Sequence, residues 1–216
     1  MTYIQLEQVS FSWPRGEQVL KDINLAIEKH ETVALMGPNG SGKTTLGKLI
    51  IGLLAPSAGR VLLWGEDAAK YSLAARGRRI GYVFQNPERQ FFASTVSEEI
   101  GFALKLRGMS PEEAEKRVGE MLGLFELEAY ADTFPFNLSQ GEKQRLALAA
   151  VFALNPEFII LDEPFSGLDW LRKQRLLAML ARVGETGVGY LLISHDEEMC
   201  ARLCSRVLHL EGGELR

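Results

Sequence analysis

Nine consecutive residues constrain this chain more than any others. Gly37, Pro38, Asn39, Gly40, Ser41, Gly42, Lys43, Thr44 and Thr45 read G-x-x-x-x-G-K-T with a second threonine. The apolar run from Thr32 to Met36 precedes them and predicts a buried strand. Leu46, Leu49, Ile50 and Leu53 follow with the spacing of an apolar helix face. Strand, glycine loop, helix is the setting in which this pattern holds phosphate. Glycines let the backbone wrap an anion closely, because no side chain intervenes. Successive N–H groups then converge, and the helix N-terminus adds its partial positive charge. In such a loop Lys43 reaches the β- and γ-phosphates as a point charge, and the Thr44 hydroxyl ligates Mg²⁺. A plain Gly-rich turn is the alternative, and the flanking strand and helix argue against it.

The rest of the chain reads as α/β. Ile4 to Phe11 alternates, Pro14, Arg15 and Gly16 form a turn, and Val19 to Ile27 is a second apolar-rich strand. Together they predict an antiparallel hairpin. Gly52 closes the helix after the loop, and residues 56–59 suggest a turn. Val61 to Trp64 and Ile80 to Phe84 read as strands, the second running into Gln85. Residues 86–154 offer no buried strand. Val96 to Leu106 reads as a helix, and Ser110, Pro111 and Glu113 open another with a capping box. Beyond them Phe158 to Leu161, Gly189 to Ile193 and Val207 to Leu210 are apolar strands, with helices over Trp170 to Val183 and Asp196 to Leu203. The expectation is one domain over residues 1–216. Residues 1–85 and 155–216 form its nucleotide-binding core, and 86–154 form an inserted helical part.

Bulk properties exclude several classes. A formal net charge of −4 gives no basic footprint for nucleic acid. No apolar run is long enough to span a bilayer, and the first residues alternate like a strand rather than a signal peptide, so the cytosol is the default expectation. Cys200 and Cys204 are a poor metal pair and read as reduced structural thiols.

Two further stations carry chemistry. Four apolar residues from Phe158 lead into Asp162 and Glu163. A carboxylate on a strand beside the phosphate loop is what holds Mg²⁺, and Asp162 is placed for it. Glu163 points differently and can polarise an attacking water. The bland reading is a solvated strand end. Ser139, Gly141 and Glu142 stand in Leu-Ser-Gln-Gly-Glu, where Ser139 and Glu142 form a capping box for a helix running to Leu154. Alone this is a helix start, although a serine hydroxyl and a glycine amide at a helix N-terminus also suit an anion.

Taken in order, residues 37–45, Gln85, Leu138 to Arg145, Phe158 to Glu163, Ser166 to Asp169 and His195 resemble the motif series of ABC-type ATPases, over nearly the whole chain. The stretch from Tyr82 to Val96 is similar to the energy-coupling-factor ATPases of vitamin and metal-ion uptake. The resemblance implies a P-loop core with an N-terminal antiparallel β subdomain and an inserted α-helical subdomain. It implies ATP and Mg²⁺ as ligands, with Trp13 stacked on adenine and Gln85 sensing Mg²⁺ and the attacking water. His195 would contact the γ-phosphate, Ser139 and Gly141 would close over the ATP of a second ATPase subunit, and Asp169 would line that contact. A core role for Trp13, a place for His195 in the first turn after a Ser194 cap, and a helix-capping role for Asp169 stand beside these readings.

The implied partners are a transmembrane transporter subunit and a second ATPase subunit, at the cytoplasmic face of the membrane. Three departures from the family pattern are visible: Gln140 in the signature, tryptophan at the adenine position, and an end at Arg216 soon after the last strand. The third leaves a largely monomeric free subunit that pairs head-to-tail on ATP as the expectation. Residues 88–92, Glu-Arg-Gln-Phe-Phe, are expected to dock the membrane partner, with one of Phe91 and Phe92 projecting. Rival classes fare worse. No sustained heptads separate Lys43 from Ser139, as a chromosome-acting ATPase would need, only one nucleotide domain is present, and the Asn-Lys-x-Asp motif of a GTP switch is absent.

Overall fold

The computed structural model describes residues 2–14 and 16–216. Met1 and Arg15 lie outside the described residues, and with Arg15 so does the middle of the turn expected over residues 14–16. The chain begins with β1 (Thr2–Ser12) and β2 (Gln18–Glu28), paired antiparallel as their alternation predicts. Next come β3 (Thr32–Met36), α1 (Lys43–Ile51), β4 (Ala58–Leu63), β5 (Glu66–Asp67), α2 (Leu73–Gly77) and β6 (Ile80–Val83). Three helices follow without a strand between them: α3 (Val96–Leu106), α4 (Pro111–Leu124) and α5 (Gln140–Ala153). The chain finishes with β7 (Phe158–Asp162), α6 (Trp170–Gly184), β8 (Gly189–Ile193), α7 (Glu197–Leu203), β9 (Arg206–Glu211) and β10 (Glu214–Leu215).

Two sheets result. One is antiparallel, in the order β2-β1-β4-β5; the other runs β10-β9-β3-β8-β7-β6, parallel except for β10. Apart from Thr32 and Asp162 at strand ends, β3, β7 and β8 carry no polar side chain but the Tyr190 hydroxyl, because both faces of the parallel sheet are covered. Val33, Leu35, Phe158, Ile160, Leu191 and Ile193 pack with Leu46, Leu49 and Ile50 of α1 and with the antiparallel sheet. Ala34, Ile159, Leu161 and Leu192 face the other way, into a core with α3, α4, α5, α6 and α7. Helix α1 is therefore held between two sheets, which fixes the loop that feeds it.

Several local expectations need correction. Residues 56–59 are not simply a turn: β4 begins at Ala58, and Gly59 (φ 75°) lies against β1, where a Cβ would sit 2.2 Å from the Gln8 carbonyl oxygen. The cap of α7 is Asp196, whose carboxylate accepts from the Met199 N–H, and not Ser194. Ser194 is still tied to the sheet, its N–H donating to the Leu35 carbonyl. Helix α7 ends at Leu203, as expected, with Cys204 as its C-cap. Both cysteines are free thiols, and burial raises Cys200 to about 11 and Cys204 to about 12. The capping boxes at Ser110 and Ser139 form as expected, and Asp169 caps α6 by accepting from the Arg172 N–H.

Candidate active site

The phosphate loop leaves the carboxyl end of β3 and enters α1 through Gly42, whose φ of 105° is glycine's territory. Gly37 allows an even closer approach: a Cβ there would lie 2.1 Å from the Leu210 carbonyl oxygen. The Lys43 ammonium turns back over the loop and donates to the Gly37 and Pro38 carbonyls at 2.8 and 3.0 Å. That places a cation at the mouth of a ring of backbone amides.

Beside the loop is a cleft of about 450 Å³. Its walls are Trp13, Asn39, Gly40, Gly42, Lys43, Thr44, Thr45, Gln85 and Glu163, all singled out from sequence, together with Val19, which was not. Trp13 stays 45% exposed, edge-on to Phe11 at 5.0 Å, so it is a wall of the cleft and not a core residue. Two carboxylates come from β7 and the residue after it: Glu163 lines the cleft and Asp162 is buried behind Thr44. Asp162 is 1% exposed, and its Oδ1 accepts from the Thr44 hydroxyl at 2.9 Å. Burial raises its pKa, opposed by the hydrogen bonds from Thr44 and Tyr82. Glu163 is 7% exposed with φ 50°, a left-handed conformation that costs a non-glycine residue about 1–2 kcal/mol. Its carboxylate reaches His195, whose Nδ1 lies 2.9 Å from Glu163 Oε2. These carboxylates are not a solvated strand end.

Hard oxygen donors from Thr44, Asp162 and Gln85 are the donor set Mg²⁺ takes when it also shares substrate phosphates. No cluster of three or more His, Cys, Asp or Glu suited to a metal is present among the described residues.

Ser139, Gly141 and Glu142 do not line the cleft. They form the first turn of α5, where the Glu142 carboxylate accepts from the Ser139 N–H at 2.7 Å. Burial of Glu142 works against ionisation, yet hydrogen bonds from Tyr130 and Ser139 bring its pKa below the usual value. Gly141 packs on α6: a Cβ there would meet Arg172 Cδ at 3.2 Å. The Leu-Ser-Gln-Gly-Glu turn thus sits beside the Asp169 cap.

Three contributors were missed from sequence. Tyr82 donates to Asp162 Oδ2 at 3.0 Å, its own hydroxyl pushed upward by burial and by that carboxylate. Lys173 pairs with Asp196 at 2.6 Å, tying α6 to the segment carrying His195. Glu99, buried on α3, accepts the Phe92 and Ala93 N–H groups, each at 2.9 Å, and so shapes the segment after Gln85. The signal for Glu99 was legible: a carboxylate on the apolar stripe of Val96, Ile100 and Leu104 needs a buried partner. In that segment Phe91 is buried and Phe92 is 61% exposed, T-shaped on Phe102 at 4.3 Å.

No helix among the described residues is long and apolar enough to cross a membrane. The ABC transporter family profile matches residues 20–166. A putative ABC transporter ATP-binding protein of Pyrococcus horikoshii is 41% identical over 213 residues, covering 99% of this chain and 82% of its own length. The energy-coupling factor transporter ATP-binding protein EcfA of Methanothermobacter thermautotrophicus is 39% identical over 214 residues, 98% of this chain and 69% of that protein. Other relatives are longer: the chain spans 37% of a putative ABC transporter ATP-binding protein of Caldanaerobacter subterraneus to which it is 39% identical. Among solved structures, cbiO1 of Clostridium perfringens, described as part of the ABC transporter complex cbiONQ, superposes with a TM-score of 0.91 at 30% identity, covering 100% of this chain and 88% of that one. The ATP-binding cassette MJ0796, solved as a dimer in a post-hydrolysis state with ADP and Pi, gives 0.90 at 32% identity, covering 99% and 96%. The chain therefore belongs to the ABC transporter ATP-binding family and carries its ATP-binding, ATP-hydrolysing domain.

Proposed function

We propose that this chain is the ATPase subunit of a membrane importer of the energy-coupling-factor type, serving a vitamin or metal ion from the cytoplasmic face. The observation that carries the proposal is that one cleft is lined by the phosphate loop, by Thr44, which donates to the buried Asp162 behind it, and by Glu163, which meets His195 outside the lining. The subtype rests on the relative named EcfA and on the cbiO1 neighbour.

The geometry supports the following roles. Trp13 forms the wall against which adenine stacks. Backbone N–H groups within residues 37–45, Pro38 excepted, and the Lys43 ammonium hold the phosphates. Thr44, Asp162 and Gln85 hold Mg²⁺, which when bound neutralises phosphate charge. Glu163 accepts the proton of the attacking water at its carboxylate. His195 orients that carboxylate through Nδ1 and presents its other ring nitrogen toward the γ-phosphate side. Residues 1–85 and 155–216 bind the nucleotide, while residues 86–154 carry the Ser139 turn and the membrane-facing surface. Two ATPase subunits pair head-to-tail, each Ser139 closing over the ATP held by Lys43 of the other. Phe92, held out by the Glu99-braced loop, is the apolar anchor for a transmembrane subunit.

The test is Glu163→Gln in size-exclusion chromatography. With ATP and Mg²⁺ the variant is expected to elute as a stable dimer, and without nucleotide as a monomer. A variant that hydrolyses ATP at the wild-type rate and never dimerises would remove both the catalytic carboxylate and the paired site.

A further inference from the structure

The Asp162 carboxylate is held at both oxygens. Oδ1 accepts from Thr44 at 2.9 Å, and Oδ2 accepts from the Tyr82 hydroxyl at 3.0 Å. The torsion that turns a carboxylate is soft, so a single hydrogen bond leaves the group free to swing. A second donor on the other oxygen fixes its plane. Tyr82 can supply it because of register: β6 pairs parallel with β7, Tyr82 stands opposite Ile160, and Asp162 is two residues on, along the same face. Helix α1 covers that face, and one position in it makes room. A Cβ at Gly47 would lie 3.2 Å from the Tyr82 hydroxyl oxygen, 3.0 Å from Ile193 Cδ1 and 3.3 Å from Ile160 Cγ2. Gly47 is the space through which the phenol reaches the carboxylate.

We propose that Tyr82 is a positioning residue for metal-coupled nucleotide binding: it locks the Asp162 carboxylate so that Oδ1 stays with Thr44, and Gly47 is kept small to allow it. The inference rests on the reading that Thr44 and Asp162 hold Mg²⁺. A ring that merely filled space would serve as well without its hydroxyl; a positioning residue would not.

The experiment measures AMP-PNP affinity of the purified chain by calorimetry, once in excess Mg²⁺ and once in EDTA, and takes the ratio as the metal coupling. Tyr82→Phe is expected to lower that ratio about 10-fold, the scale of one hydrogen bond to a charged group. Its affinity in EDTA should remain that of the wild type. Asp162→Asn is expected to lower the ratio as well, and adding Tyr82→Phe to it should lower it no further, because the two residues act as a unit. A Tyr82→Phe ratio equal to the wild type's, while Asp162→Asn loses coupling, overturns the positioning role and leaves the metal reading standing. An unchanged ratio in Asp162→Asn overturns both. Should Tyr82→Phe fail to fold, Gly47→Ala crowds the hydroxyl instead. The same fall in the ratio supports the role, and an unchanged ratio refutes it.

Discussion

Glu163 holds an unfavourable backbone conformation, so replacing it with glycine should make the protein more stable while removing its activity. The left-handed φ of 50° costs about 1–2 kcal/mol for a residue with a Cβ. Glycine removes that cost but gives back about 0.5–1 kcal/mol in chain entropy. The lost contact to His195 weighs little. The imidazole is 61% exposed, and such pairs contribute about 0–1 kcal/mol, against which the carboxylate is relieved of its burial. The balance is a stabilisation of about 0.5–1 kcal/mol, or roughly 1–4 °C in melting temperature for a chain of this size. Glu163→Gln keeps both the Cβ and the strain, so it should melt with the wild type. Both variants lose the general base and should turn over about 100- to 10,000-fold more slowly. Calorimetric melting beside a phosphate-release assay separates the effects. A glycine variant that melts below the glutamine variant would show that the strain argument is wrong at this residue.

Other consequences are as direct. The Arg79 guanidinium grips Glu157 at 2.6 and 3.0 Å and lies 3.8 Å over the Trp64 ring, holding the Glu157 pKa at about 2. Because the folded value is depressed, this contribution is complete above the ordinary carboxylate pKa of 4.5 and disappears as pH falls toward 2. Arg79→Ala should therefore narrow the stability gap between pH 7 and pH 3, measured by urea titration at both pH values. Gly37→Ala must displace β9 or the loop, since its Cβ would overlap the Leu210 carbonyl, and it should lose ATP binding in a fluorescent-nucleotide titration. Phe92→Ala should release the transmembrane subunit in a pull-down while basal ATP hydrolysis persists, whereas Phe91→Ala, removing a buried ring, should cost about 3–5 kcal/mol of stability.

What could be read from sequence was local. The phosphate loop announces itself because its glycines, lysine and threonine act within nine residues, and the cleft places most of them along one wall. The capping boxes at Ser110 and Ser139 were legible for the same reason, since donor and acceptor lie three residues apart. The Tyr82–Asp162 bond spans 80 residues and depends on the register of β6 against β7, which periodicity does not supply. The Arg79–Glu157 fork was hidden likewise: its two residues become neighbours only where β6 and β7 start side by side. Ser194 looked like a cap because serine commonly is one, but β8 continues to its amide and passes the role to Asp196. Of the two adjacent phenylalanines, sequence could say that one would project; the Glu99 bonds to the Phe92 and Ala93 amides accompany the exposure of Phe92.

The cleft beside residues 37–45 is expected to bind and hydrolyse ATP. The most direct test is phosphate release from Mg²⁺-ATP by the purified chain, wild type against Lys43→Ala, at matched protein concentration. Among the described residues the Lys43 ammonium bonds only the Gly37 and Pro38 carbonyls, so the variant should fold and melt like the wild type. Measurable turnover is expected from the wild type and a fall of at least about 100-fold in the variant, the scale for losing one preorganised donor to transferring phosphate. Equal rates from two folded proteins would contradict it.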